Sequence, residues 1–257
     1  KVEGKLPGVL FLGGSAAADR HGFAGPPAVD LGSHEITDAL AQTGFAVMRY
    51  DARGVGKSAF GPNSWHGQVE DARRALRTLL IQPEVNPDKI IVVGHGEGGW
   101  RALKLAAEYP SSVVGVALLG TPGRSYKRII GATQPKLLEA LQNGMPLPTV
   151  LEGNREWYAE IIKEDPVALL RDGDAPVWAA FGDNDFEFEA DTEGNELVRA
   201  AKEARRTLSL ARFAGLDHLF KPGQPGADMQ AYLEERAVDP AFLKALVEWA
   251  EARTTKK

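Results

Sequence analysis

One stretch decides the fold of this chain, IIVVGHGEGG at residues 90–99. Its first four residues are all apolar and β-branched, which is typical of a strand buried on both faces. The glycines at alternate positions then predict a tight turn, and residues 100–109 have the pattern of a helix. A buried strand, a tight turn and a helix in this order predict the centre of a parallel sheet.

Short apolar runs and longer helical patterns alternate along the rest of the chain, which is the signature of a parallel sheet with crossover helices. The predicted strands are 9–12, 45–50, 90–93, 113–119, 176–181 and 208–213. The predicted helices are 31–43, 69–81, 100–109 and 241–252. We therefore predict an α/β fold in which residues 1–257 form one domain around a mostly parallel, doubly wound sheet.

Residues 125–172 do not follow this alternation, and they carry several proline and glycine breaks. Their pattern predicts a mainly helical insertion, for which an ordinary pair of surface helices is the alternative. The insertion follows the carboxyl end of a predicted strand, and ligands of parallel sheets bind outside those ends. We therefore expect a cap over the C-terminal edge of the sheet.

The composition excludes several classes of function. The net charge is −5 and no basic stripe is present, which argues against a nucleic-acid partner. No apolar run reaches the roughly 18 residues that a membrane span requires. The chain has no cysteine, so a disulfide, a thiol nucleophile and a thiolate metal site are excluded. Its first residue is Lys1, from which we expect a processed or trimmed N-terminus; compartment and oligomeric state stay open.

Two loops after later strands carry residues suited to nucleophilic acyl transfer. That chemistry needs a nucleophile, a base, a carboxylate that orients the base, and N–H donors for the oxyanion. His218 follows the last predicted strand, and Asp185 follows the strand before it, with Asp183 as the alternative acid. His95 lies inside the glycine-rich turn, where we expect a structural role. The histidines lack the i, i+4 spacing of a helical zinc site, and we expect no metal and no cofactor.

Five motifs occur in a fixed order, LGGS at 12–15, DARGVGKS at 51–58, GHGEGG at 94–99, GDND at 182–185 and DH at 217–218. Together they resemble the α/β-hydrolase superfamily, and within it the bacterial serine esterases and related acyl-peptidases. The resemblance covers nearly the whole chain. It implies the α/β-hydrolase fold and carboxylic ester hydrolysis, with peptidase activity as the alternative, and it says little about the substrate.

The resemblance also assigns roles position by position. Asp185 would be the acid of a catalytic triad and His218 its general base. The backbone N–H groups of Ser15 and Glu97 would form the oxyanion hole. Gly96 occupies the position at which the family's Gly-x-Ser-x-Gly turn carries the nucleophilic serine, so this chain cannot form an acyl-serine as written.

Three explanations of Gly96 compete. The first is a deliberate Ser-to-Gly replacement that inactivates an esterase, and the retention of Asp185 and His218 favours it. The second is a natural pseudoenzyme that binds a ligand or a partner. The third is chemistry without a covalent step, in which His218 acts alone as in lyases and cofactor-free oxygenases of this fold. Glycine fits the strained apex of the turn in all three cases.

The insertion carries four candidate substrate-binding residues, Met145, Leu147, Trp157 and Tyr158. They suggest an apolar or aromatic acyl pocket, although such residues also serve as ordinary packing. No charged cluster suggests a charged substrate. We therefore expect a small-molecule partner, a small to medium carboxylic ester or an acyl ligand, with peptides or amides as the alternative.

Overall fold

Eight strands are present in the computed structural model, which describes residues 4–14 and 18–255. In chain order they are β1 (Leu6–Leu12), β2 (Phe23–Ala24), β3 (Val29–Asp30), β4 (Ala46–Met48), β5 (Val85–His95), β6 (Val113–Leu119), β7 (Val177–Gly182) and β8 (Leu208–Phe213). β2 and β3 form a separate antiparallel pair. The other six strands form one sheet in the order β4-β1-β5-β6-β7-β8, and every neighbouring pair is parallel. The predicted central position of residues 90–93 is confirmed.

Helices connect the strands and cover both faces of the sheet. They are α1 (Ser33–Gln42), α2 (Trp65–Leu80), α3 (Gly98–Glu108), α4 (Tyr126–Thr133), α5 (Pro135–Asn143), α6 (Thr149–Glu152), α7 (Arg155–Ile161), α8 (Pro166–Asp172), α9 (Asn195–Glu203) and α10 (Pro240–Thr254). No helix in the described part of the chain is long and apolar enough to cross a membrane.

The core is divided into two layers by the alternation of strand side chains. Within β1, Leu10 and Leu12 pack into the layer that contains α2 and α3, whereas Val9 and Phe11 pack into the layer that contains α1 and α10. β5 alternates in the same way. Because both faces of these strands are covered, their side chains are apolar at successive positions. The predicted doubly wound α/β sheet is confirmed.

The element boundaries differ from the predicted ones where tertiary pairing decides them. β5 begins at Val85, since that residue pairs with Leu6 of β1. The strand predicted over residues 45–50 ends at Met48, because β4 is an edge strand and the chain turns around Asp51, which accepts a hydrogen bond from the Arg20 N–H. The β2–β3 pair and α9 have no counterpart among the predicted elements.

The segment between β6 and β7 contains the five helices α4 to α8, in the place where a mainly helical insertion is expected. Ser125 caps α4 by accepting a hydrogen bond from the Arg128 N–H, and Asp165 caps α8 in the same way from Val167. Trp157 of α7 packs edge-on against Tyr126 of α4, with ring centroids 5.5 Å apart. The helices are therefore tied to the core of the molecule by an aromatic contact.

Candidate active site

Two glycines of the turn between β5 and α3, Gly94 and Gly98, tolerate no side chain. A Cβ atom on Gly94 would lie 2.4 Å from backbone atoms of Gly98, and one on Gly98 would lie 2.3 Å from the carbonyl oxygen of Leu12. Both distances are far inside van der Waals contact. The first and third glycines of the motif are thus required by the close approach of strand, turn and helix.

Gly96, at the apex of the turn, is different. Its φ of +54° is in the left-handed region, and its N–H donates to the Leu119 carbonyl at 2.8 Å. Among the described residues, a Cβ atom on Gly96 would meet no atom closer than 3.7 Å, where its neighbours are Gly14 Cα and His218 Nε2. A Cβ atom at this position would therefore face the imidazole of His218 without a clash with the described atoms, and its cost is backbone strain.

His218 and Asp185 form a buried hydrogen-bonded pair. The Nδ1 atom of His218 donates to Asp185 Oδ2 at 2.8 Å, and the two side chains are 6% and 0% exposed. The other oxygen of Asp185 accepts from the N–H groups of Glu187 and Phe188 at 2.9 and 2.8 Å. Three donors hold the carboxylate, which in turn fixes the ring so that Nε2 faces Gly96.

Gly120, at the end of β6, lies behind this pair. A Cβ atom there would be 2.8 Å from His218 Nδ1 and 3.2 Å from Asp185 Oδ2. Its φ of +51° also favours glycine. The close approach of this backbone helps to define where the imidazole and the carboxylate sit.

The other predicted site residues have different surroundings. Asp183, the alternative acid, pairs with Arg212, whose Nε lies 2.7 Å from its Oδ1. Of the two aspartates, it is Asp185 that contacts His218. Ser15, the other expected oxyanion donor beside Glu97, lies outside the described residues.

The electrostatic surroundings of His218 are dominated by acids. Burial lowers the pKa of its imidazole, but the charges of Asp185 and Glu187 outweigh burial and raise the pKa to about 9. The Oε2 atom of Glu187 lies 4.0 Å from His218 Nε2, and its Oε1 accepts a hydrogen bond from the Tyr232 hydroxyl at 2.6 Å. Glu187 is not among the predicted site residues. Its position two residues after Asp185, in the same loop, is the sequence feature that could have identified it.

His95 supports the backbone of the His218 loop, in agreement with its expected structural role. Its Nε2 donates to the His218 carbonyl at 2.9 Å, and the two rings are stacked with centroids 4.5 Å apart. Burial and the charge of His218 lower the pKa of His95 to about 4. A neutral, hydrogen-bonded His95 therefore positions His218 from below.

Glu97 places a carboxyl group in the core beside the turn. It is 1% exposed, and neither of its oxygens has a hydrogen-bond partner among the described residues. Burial raises its pKa to about 7, against the charge of Arg101, whose Nη2 lies 3.6 Å away. The sequence predicts a role for the backbone N–H of Glu97. No motif predicts that its carboxyl group is buried beside Arg101.

The four residues expected to form an acyl pocket do not share one environment. Leu147 and Trp157 are buried in the core, and Tyr158 packs edge-on against Trp157 at a centroid distance of 5.0 Å. Met145 is 39% exposed. Trp157 is linked to α3 through Tyr126, whose ring packs against Trp157 and against Trp100 at centroid distances of 5.5 and 5.2 Å.

A separate group of side chains has ligand atoms within 4.8 Å of one another: Asp30, His34 and Glu35. These carboxylates already have donors. Lys221 Nζ lies 3.1 Å from Asp30 Oδ2, and the Val238 N–H donates to Glu35. A bound cation would have to compete with the ammonium group of Lys221.

The fold and the arrangement of the turn are those of an α/β hydrolase. Residues 31–169 match a family model described as serine aminopeptidase, S33, and the chain belongs to this family. The chain is 25% identical over 225 residues to the proline iminopeptidase of Clostridioides difficile, which covers 79% of this chain and 72% of that protein. It is 27% identical over 116 residues to the uncharacterized protein YfhR of Escherichia coli O157:H7, spanning 45% of this chain and 39% of YfhR.

Solved structures share the fold across nearly the whole chain. Est1E from Butyrivibrio proteoclasticus, solved with ferulic acid bound, has a TM-score of 0.65 at 15% identity, covering 98% of this chain and 91% of that one. DcsB, solved with a substrate analogue, has a TM-score of 0.67 at 17% identity, with 99% and 92% covered. An esterase from Pyrococcus furiosus has a TM-score of 0.64 at 15% identity, with 97% and 82% covered. At these identities the likeness shows the fold.

Proposed function

We propose that this chain is a carboxylic ester hydrolase scaffold whose nucleophile position is occupied by Gly96, and that it is inactive or nearly so in this form. The observation that carries the proposal is the free space at Gly96, where a Cβ atom would lie 3.7 Å from His218 Nε2. Since Asp185 holds the opposite nitrogen of the ring, a hydroxyl at position 96 would meet an imidazole that is already oriented.

With a serine at position 96, the chemistry would follow the acyl-enzyme route. His218 Nε2 would accept the hydroxyl proton as the oxygen attacks the ester carbonyl, and the carbonyl oxygen would become an oxyanion. The N–H of Glu97 is one candidate donor to that oxyanion. His218 would then protonate the leaving alcohol, and water would release the acid by the reverse sequence.

In the chain as it stands, no oxygen is present to be deprotonated at the apex. Binding and oxyanion stabilisation alone leave a hydrolase with roughly 10³–10⁴-fold over the uncatalysed rate. We favour a deliberate Ser-to-Gly replacement as its origin, because the donors around Asp185 and the support of His95 under His218 are intact. A natural pseudoenzyme is the alternative.

The helices between residues 125 and 172 complete the proposal. We infer that they act as a cap over the carboxyl ends of the strands, where substrates of parallel sheets bind. Trp157 and Leu147 would then contribute apolar surface near an acyl group. Small to medium esters are the proposed substrates.

The Gly96→Ser variant tests this proposal directly. Its rate of aryl ester hydrolysis should exceed that of the unaltered chain by at least about 10³-fold, since loss of a triad serine costs up to about 10⁶ in kcat. Gly96→Ala is the matched control, because it adds the same Cβ atom and the same backbone strain without an oxygen. A folded Gly96→Ser variant no faster than Gly96→Ala would contradict the proposal and favour the pseudoenzyme.

The same variant separates esterase from peptidase activity. The relative from Clostridioides difficile carries the name of an iminopeptidase, so amide substrates are the alternative to esters. Rates with aryl esters and with aminoacyl amides that share an acyl group should be compared in Gly96→Ser. A higher kcat/KM for the amide would move the proposal to a peptidase.

A second candidate function is favoured by Glu187. Its Oε2 lies 4.0 Å from His218 Nε2, on the side of the ring that faces Gly96. A water held between these two atoms could be activated without a covalent intermediate, as in lyase or cofactor-free oxygenase chemistry of His218. If the unaltered chain turns over a ligand, and Glu187→Gln and His218→Ala each abolish that turnover, this candidate replaces the disabled esterase.

A further inference from the structure

A short 3₁₀ helix, Met229–Leu233, follows the loop that carries His218. Arg236 ties this helix to the loop, since its Nη2 donates to the Ala231 carbonyl at 2.6 Å and its Nη1 to the Asp217 carboxylate at 2.7 Å. Asp217 is 1% exposed, so the link is made inside the protein. The helix is therefore fastened to the segment that carries the base.

Tyr232 of this helix contacts the other loop of the site, which carries Asp185. Its hydroxyl donates to Glu187 Oε1 at 2.6 Å, and its ring packs against Phe186 at a centroid distance of 4.9 Å. The residue is 6% exposed. A buried tyrosine with a packed ring and a bonded hydroxyl has little freedom to rotate, so Tyr232 can hold its partner in a defined place.

The carboxylate of Glu187 has few other constraints. Among the described residues, the Tyr232 hydroxyl is the one hydrogen-bond donor to it, and its Oε2 lies 4.0 Å from His218 Nε2, beyond hydrogen-bond distance. The Glu187 side chain is 34% exposed, and an ionised carboxylate that loses its donor is better solvated by water. Without the Tyr232 hydroxyl, the carboxylate should therefore turn away from the ring toward solvent.

Glu187 differs from the other groups around the ring in the nitrogen that it faces. The groups whose charges act on the His218 imidazole are Asp185, Glu187, Asp217 and His95. Asp185 occupies the Nδ1 side of the ring, and the charge of Asp217 is paired with Arg236. Glu187 lies toward Nε2, the nitrogen at which the base would take up its proton. Its charge is therefore placed to stabilise that proton.

We propose that Tyr232 is a positioning residue of this site, which stabilises the protonated imidazole of His218 through the carboxylate of Glu187. In ester hydrolysis, the imidazolium forms when Nε2 accepts the proton of the serine hydroxyl, and its stabilisation lowers the barrier of that step. This consequence for catalysis rests on the proposed function. The action of Tyr232 on the charge of His218 does not, because it requires no nucleophile.

NMR titration of the histidine side chains in the unaltered chain tests the positioning role, and the signal that is lost in His218→Ala identifies the residue. The pKa of His218 is raised to about 9 in the parent. Tyr232→Phe removes only the hydroxyl, and it should lower this pKa by no more than Glu187→Gln does. In a Glu187→Gln background, Tyr232→Phe should cause no further change, because the charge through which it acts is absent.

Tyr109→Phe is the matched control. The Tyr109 hydroxyl also bonds a charged side chain, that of Arg77 at 2.8 Å, but the residue follows the C-terminal end of α3, far from the turn at which that helix begins. Its loss should leave the pKa of His218 unchanged. If Tyr232 is only structural, Tyr232→Phe would lower the stability to urea without changing the pKa of His218, and this result would overturn the proposal. A raised pKa, or an equal change in the Glu187→Gln background, would also overturn it.

The consequence for catalysis is measured in Gly96→Ser, at a pH above the rising limb of the rate profile, where the imidazole is neutral before the reaction. Tyr232→Phe should there lower kcat by about 2- to 10-fold and leave KM unchanged, because the imidazolium is present in the transition state and absent from the bound ground state. An unchanged kcat in an active Gly96→Ser protein would overturn this consequence. The NMR titration uses the unaltered chain, so it decides the positioning role even if Gly96→Ser hydrolyses no ester.

Discussion

Two buried carboxyl groups border the candidate site, and their surroundings are opposite. Asp185 receives three hydrogen bonds, from His218 and from two backbone N–H groups. Glu97 receives none from the described residues, although it is equally buried. Asp185 is thus held by three donors, whereas the charge of Arg101, 3.6 Å away, is what offsets the cost of burying Glu97.

The difference shows that the hydrogen bonds of the site are concentrated on the Asp185–His218 pair. Asp185, His95 and Gly120 all act on the ring of His218, which is thereby fixed in position and tautomer. Trp157 Nε1, which lies near the Glu97 carboxyl, also lacks a hydrogen-bond partner in the described part of the chain. The imidazole of His218 is therefore the side chain of the site that the surrounding residues hold most firmly.

The largest expected effect on activity is that of replacing the carboxylate of Asp185. In a Gly96→Ser background, Asp185→Asn should lower kcat by about 10⁴, because an amide cannot hold the productive tautomer of His218. Asp183→Asn is the matched control, since Asp183 lies in the same loop but pairs with Arg212. Steady-state ester hydrolysis measures both. Equal losses in the two variants would show that the loop as a whole, rather than the Asp185 contact, is needed.

A smaller loss should follow from displacing the ring without touching its partner. Gly120→Ala places a methyl group 2.8 Å from His218 Nδ1, so the ring must shift. A shift of this kind should cost about 10²-fold in the activity of the Gly96→Ser variant. Gly144→Ala adds a methyl group at a φ of +66° with no atom of the described residues within 4 Å, and it should leave activity unchanged. Activity retained in Gly120→Ala would mean that the Asp185–His218 geometry is tolerant of displacement.

The burial of the Glu97 carboxyl should be visible in the pH dependence of the free energy of unfolding. Its folded pKa of about 7 exceeds its ordinary value of 4.5, so its contribution to stability is present below about pH 4.5 and is lost as the pH rises to about 7. Glu97→Gln keeps the shape and removes this loss. At pH 8 it should raise the free energy of unfolding by about 1–3 kcal/mol.

Urea unfolding at pH 8 and at pH 4 measures this gain in stability. The two proteins should be nearly equal at pH 4, because the carboxyl is then protonated in both the folded and the unfolded chain. A Glu97→Gln variant less stable than the parent at pH 8 would contradict the inference that the buried carboxyl of Glu97 lowers stability once it is ionised.

The smallest expected effect concerns Glu187. Its charge raises the pKa of His218, so Glu187→Gln should lower that pKa, and the partial exposure of Glu187 makes this the weakest of the four effects. Since the neutral imidazole is the base, the rising limb of the kcat/KM profile of Gly96→Ser should move to lower pH. Glu189→Gln, at an exposed neighbouring position, is the control. If the rising limb does not move, the charge of Glu187 does not influence the pKa of His218.

The sequence predicts the parts of this molecule that short-range patterns determine. The apolar runs locate the sheet, and the glycine spacing at 94, 96 and 98 locates the turn, because close backbone contacts admit no side chain at 94 and 98 and the positive φ at 96 favours glycine. Asp185 and His218 follow strand ends, which a parallel sheet brings to one edge. The approach of Glu187 to His218 and to Tyr232 depends on distant segments packing together, and no local pattern encodes such contacts.

The central claim is that position 96 lacks only the hydroxymethyl side chain of a serine. Intact-mass measurement after treatment with a serine-directed fluorophosphonate tests it most directly. Gly96→Ser should gain one phosphonyl group at position 96, while the unaltered chain, Gly96→Ala and the Gly96→Ser, His218→Ala double variant should gain none. A folded Gly96→Ser variant that stays unlabelled, or that is labelled equally without His218, would contradict the claim.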